Sequence, residues 1–84
     1  MEHAREDYNR IQDPTGLIPA DEPVMLFRGQ DKFAPIALVA YATAVGIAST
    51  SGDAEQIALL CLQQADKMVE WQKQVKQKEP DLAK

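Results

Sequence analysis

From Phe33 to Gly52 the chain runs for twenty residues without a charge, and no other feature constrains its fold as much. Asp31, a residue type that accepts hydrogen bonds at helix starts, precedes this run, and Ser49-Thr50-Ser51-Gly52 closes it. The spacing predicts a helix over 32–49, capped by Asp31, with Pro35 in the first turn where a missing N–H costs little. Its apolar residues do not keep to one stripe. Phe33, Ile36, Ala37, Ala40, Ala44, Ile47 and Ala48 make one face, joined by Tyr41; Leu38, Val39, Ala42 and Val45 make another. A helix apolar nearly all round has to be covered on more than one side.

Three environments could provide that cover. A bilayer takes about 20 predominantly apolar residues, but this run is alanine-rich and carries Pro35 and Thr43, so its insertion is weakly driven and no membrane span is expected. A large core from the same chain is ruled out by length. A chain of 84 residues hides only about 60–65% of its unfolded surface. Cys61 is the one cysteine and His3 the one histidine, so neither a disulfide nor a structural metal can compensate. A second copy of the chain remains, and a homo-oligomer is the expectation.

The rest of the chain reads as follows. Asp53-Ala54-Glu55-Gln56 resembles a capping box and opens a helix over 53–78. Ile57, Leu60, Cys61, Met68 and Val75 form its stripe, widened by Ala58, Leu62, Ala65 and Val69, and Lys73, Lys76 and Lys78 suit its C-terminal end. The short connection at Ser51-Gly52 makes the two helices an antiparallel hairpin. Upstream, Ala4, Tyr8 and Ile11 at i, i+4, i+7 predict a short helix over 1–11. Asp13-Pro14-Thr15-Gly16 has the residues of a type I turn, and Leu17-Ile18-Pro19 is expected to be extended. Val24-Met25-Leu26-Phe27 is either a strand paired with its copy in another subunit or an irregular apolar strap; the strap is preferred, because the chain has no second strand-like run. Segment 12–31 is thus an extended arm and 79–84 a loose tail. The predicted fold is all-α, a single domain over 1–84: a helical hairpin with a short N-terminal helix and an extended arm, self-associating through the middle helix.

Little here carries chemistry. Phosphate loops, nucleophile elbows and paired CxxC motifs are absent, the carboxylates fall on solvent-facing positions, and Cys61 lies on an apolar stripe with no base beside it in sequence. His3 and Asp7, spaced i, i+4, lack a third metal ligand. No enzyme, metal or cofactor is expected. Net charge of −4 argues against binding long nucleic acid, and MEHAREDYNR has no apolar core such as a signal peptide carries. The residues suited to a small anion are Arg28, a planar fork for phosphate, and Lys32, a point charge at a helix start. Arg10 adds a third cation, while Tyr8 and Gln30 could meet a base. The alternative is that Arg28 pairs with Asp21, Glu22 or Asp31 and that Lys32 is simply solvated. Trp71 is either a lid on the core or an interface anchor. The expected interface comprises Phe27, Phe33, Ile36, Ala40, Tyr41, Ala44 and Trp71.

The segment IPADEPVMLFRGQDK, with HAREDYNRIQDPTGL before it and ADKMVEWQ late in the chain, resembles a family of small proteins from tailed phages and their prophages. I-P-x-D-E-P-V and R-x-Q-D are its most distinctive parts, and the likeness spans nearly the whole chain. The resemblance implies a bacterial cytoplasmic setting and an anti-defence role. The leading expectation is sequestration of a small anionic signalling nucleotide, cyclic or ADP-ribose-derived, in pockets between subunits. The rival is an inhibitor or assembly adaptor that grips a host or virion protein through the apolar arm and Trp71.

Overall fold

The computed structural model describes residues 1–82. The chain divides into two compact units, one made of Met1–Phe27 with residues from Asp81 on, the other of Arg28–Pro80.

The first unit is built on a parallel strand pair, β1 (Glu2–His3) and β2 (Pro23–Val24), in register Glu2 to Pro23 and His3 to Val24. The Glu2 N–H donates to the Glu22 carbonyl at 2.8 Å, the Ala4 N–H to Val24 at 3.3 Å, and the terminal ammonium to Pro19 at 2.7 Å. This corrects two expectations. The helix predicted over 1–11 shrinks to a single 3-10 turn, Glu6–Tyr8, after an extended Arg5. So few turns are marginal alone, and the strand pair gives the first backbone donors partners that a helix would leave orphaned. Segment 24–27 is neither an intersubunit strand nor wholly irregular: Val24 pairs inside its own chain, and Met25 to Phe27 continue without regular structure.

Tyr8 is buried at the centre of this unit. The Arg5 guanidinium lies 4.5 Å over its ring and His3 meets it edge-on. Arg5 is held in turn by Asp7 at 2.6 Å. His3 Nε2 is 2.6 Å from the Ile11 carbonyl, which can only accept, so Nε2 carries the proton. The Asp13 turn forms as its residues predict, with the Gly16 N–H bonded to the Asp13 carbonyl and Gly16 at a φ of +70° that favours glycine. The Asp13 carboxylate accepts from the Thr15 hydroxyl and from the Thr15, Leu17 and Ile18 N–H groups. These bonds, that of Thr15 first, pull its pKa down to about 2.

The second unit is a helical hairpin, α1 (Ala34–Ala48) and α2 (Ala54–Gln74). The residues at the start of α1 meet the end of α2, so the helices run antiparallel: the Lys32 N–H donates to the Lys78 carbonyl and the Lys78 N–H to Gln30. α1 starts two residues later than predicted. Asp31 still serves its start, accepting from the Phe33 N–H on its side chain at 2.8 Å and from the Ala34 N–H on its backbone. α2 ends at Gln74 rather than Lys78, because residues 76–79 leave the helix and Lys78 bridges to Asp31. Its start has no side-chain cap: the Asp53 carboxylate caps nothing, and Ser51 Oγ accepts the Asp53 N–H instead. Of the tail predicted over 79–84, residues 83 and 84 lie outside the described residues.

The inner face of α1 is Ala34, Pro35, Leu38, Ala42 and Val45; that of α2 is Ile57, Ala58, Cys61, Ala65, Met68 and Gln72. Leu60 and Val75, placed on the stripe by their spacing, are 53% and 64% exposed. No large side chain is fully buried anywhere in the described residues. Alanines at the contact bring the two backbones close but hide little apolar area, about 0.8 kcal/mol per buried methylene-sized group. No described helix is long and apolar enough to cross a membrane.

Candidate binding surface

The residues expected to hold an anion fall in both units. Tyr8 and Arg10 belong to the first, Arg28, Gln30 and Lys32 to the second. Tyr8 has one ring face taken by Arg5, and Arg10 Nη1 donates to the Asp7 carbonyl at 2.7 Å. Lys32 pairs with Glu79 and lies 5.0 Å over the Phe33 ring. Gln30 is half-buried and gives its carbonyl to Lys78. Arg28 differs from the others. Its guanidinium is exposed and makes no hydrogen bond or ion pair with any described residue of its own unit, Asp31 included.

The expected interface residues, Phe27, Phe33, Ile36, Ala40, Tyr41, Ala44 and Trp71, are all exposed. On the hairpin they separate by helical position. Ile36 and Ala40, with Pro35, Val39, Ala65 and Val69, line an open groove of about 390 Å³ in which Asp66 is the one charged lining residue. Trp71 lies on the opposite flank of α2. Leu60 is three turns before it at i−11 and Val75 one turn after at i+4, which puts all three on one stripe. A second hollow of about 330 Å³ beside the start of α1 is more polar, lined by Lys32, Gln72, Lys73 and Gln77 among others.

Gln72 is the residue that sequence reasoning missed. It is 8% exposed, and its Nε2 donates to the Gly29 and Asp31 carbonyls, both at 2.9 Å, while its Oε1 accepts from Gln77. One amide thus ties the Gly29–Asp31 turn to the last turns of α2. A signal existed: Ala58, Ala65 and Gln72 recur every seventh residue, so Gln72 continues an inward-facing column where an apolar residue is the rule.

No three His, Cys, Asp or Glu side chains gather as metal ligands among the described residues. Among the described residues the hairpin surface offers apolar contact on two flanks and the exposed Arg28 guanidinium, groups that can bind by burial and by charge. Compared with known proteins, the chain matches no family model, and no curated protein or solved structure is significantly similar to it.

Proposed function

We propose that this chain is a non-catalytic binding protein that acts as a self-associated assembly and captures another protein through the exposed flank of α2. One observation supports this reading above others: Trp71, at 42% exposure, shares a stripe with the exposed Leu60 and Val75. Aromatic residues of this kind anchor interfaces because a large, rigid ring loses little entropy on burial. The phage-type resemblance of the sequence favours a host or virion protein of the bacterial cytoplasm as the partner.

The second reading, sequestration of a small anionic nucleotide, has its own support in Arg28, whose exposed guanidinium has no partner among the described residues of its unit and lies two residues from Gln30. Neutralisation of Lys32 by Glu79 and the buried ring of Tyr8 weaken it. The two separate in one experiment: affinity capture from bacterial lysate followed by native mass spectrometry. A stoichiometric protein lost on Trp71→Ala supports the first reading. A co-purifying nucleotide lost on Arg28→Ala supports the second and displaces the first. Equal capture by Trp71→Ala and the parent protein refutes the α2 surface.

A further inference from the structure

α1 has a second seam, turned away from the face that packs on α2. At 100° per residue, Ile36, Ala40, Thr43 and Ile47 fall together, about 160° round the helix from the face that meets α2. Their 4-3-4 spacing is that of core positions in a two-helix contact. Ile36 and Ile47 are 64% and 82% exposed. Thr43 fits a dry contact despite its hydroxyl, since Oγ1 already donates to the Val39 carbonyl at 2.8 Å and the methyl is left as its apolar surface. Gly46, on the flank of this seam, has open space where a Cβ would stand, so no contact within the chain explains a helix-weakening residue there.

The seam is also nearly its own mirror. About the midpoint between Tyr41 and Ala42, the seam residue Ile36 matches Ile47 and Ala40 matches Thr43. Within the seam the large residues stand at both ends and the small ones at the centre. A two-fold interface requires this self-complementarity, because each residue i that meets j is met by the partner's j in return. The helix carries no charge that would oppose it.

We infer that the occupant of this face is a second copy of the chain, docked α1 against α1 in antiparallel fashion, with the Ile36 end of one helix on the Ile47 end of the other. This deepens the self-association on which the proposed function rests. Exposure argues in the same direction: Ile36 and Ile47, at 64% and 82%, are the apolar area that such a contact would remove from water. Antiparallel pairing also sets the two helix dipoles head to tail, and the small residues at the crossing let the axes approach to about 8 Å.

The test uses the full chain with Cys61→Ser and one new cysteine, either Ile36→Cys or Ile47→Cys. One variant carries a heavy-isotope label; the two are mixed, oxidised and analysed by mass spectrometry. The expected result is a dimer by sedimentation whose cross-link joins position 36 of one chain to 47 of the other, with 36–36 and 47–47 links at least tenfold rarer. Thr43→Glu, which places a charge at the crossing while staying helical, is expected to shift the protein to monomer with its helical circular dichroism retained. A dimer linked 36–36 and 47–47 overturns the antiparallel docking. A dimer that forms no link at either position, and persists in Thr43→Glu, overturns the α1 seam and leaves self-association to another face. A monomeric parent protein overturns both the seam and the oligomeric part of the proposed function.

Discussion

Replacing Gln72 isolates a single amide whose role follows directly from its geometry. In Gln72→Leu the Gly29 carbonyl loses the partner it has at 2.9 Å, whereas the Asp31 carbonyl keeps the Ala34 N–H at 3.1 Å. Stripping a half-buried carbonyl costs about 1–3 kcal/mol, and the second, replaceable bond about 1 kcal/mol more. Part is offset by the apolar burial of leucine, which leaves a net loss of about 1–2 kcal/mol. For a domain of this size each kcal/mol lowers Tm by about 4–8 °C, so the midpoint should fall by about 5–15 °C. Gln72→Glu sharpens the reasoning. It keeps the shape but turns both carbonyls toward a carboxylate, so the folded state disfavours ionisation and raises the pKa of the new acid. Such a group does no electrostatic harm below its unfolded pKa of about 4.3, and the destabilisation grows as pH rises through that value toward the folded one. Gln72→Glu should therefore melt below Gln72→Leu at neutral pH and recover in acid. Thermal melts by far-UV circular dichroism, at one protein concentration so that self-association is held constant, give the comparison. A Gln72→Leu midpoint within about 2 °C of the parent would refute the bridging role.

Asp13 predicts an acid-labile turn. Its folded pKa, about 2, lies below the ordinary value of 3.8, so the stability it contributes is present above the latter and is lost as pH falls through the former. NMR titration of its carboxyl carbon should give a midpoint near 2, and Asp13→Ala should make the 13–18 amides exchange faster. The His3 proton at Nε2 should be seen in its ring nitrogen shifts; an imidazole protonated at Nδ1 alone would contradict the bond to Ile11. Removing the Lys32–Glu79 pair by Lys32→Ala should cost under about 1 kcal/mol, because both groups are partly exposed and water screens them. A larger loss in a denaturant titration would mean that Lys32 holds the start of α1 in some further way.

Much of the second unit was legible in one dimension. α1 lies wholly inside the charge-free run and ends at Ala48, just before Ser49-Thr50-Ser51-Gly52, and Ser51-Gly52 sits in the connection. Both helices were misplaced at their ends next to Lys78, and for one reason: the Lys32 and Lys78 N–H groups bond to carbonyls more than forty residues away, which no local cap predicts. Leu60 and Val75 were assigned inward because periodicity orders residues around a helix without saying which of two apolar sides meets the neighbour. The candidate site was legible as residue types alone. That Lys32 finds Glu79 depends on where the chain turns after α2.

The first unit marks the boundary most plainly. Composition and spacing alone determined the Asp13 turn, whose donors and acceptors lie within six residues, and the absence of a charge from every side of α1. Only the tertiary structure decided that Glu2–His3 is a strand, since nothing in those two residues is strand-like until Pro23–Val24 is brought alongside. It decided likewise that the Tyr8 ring is spent on Arg5 and His3. The physical reason is range. A turn or a helix satisfies its backbone with neighbours in sequence, whereas a parallel strand pair and a buried amide do so with groups that only folding brings within reach.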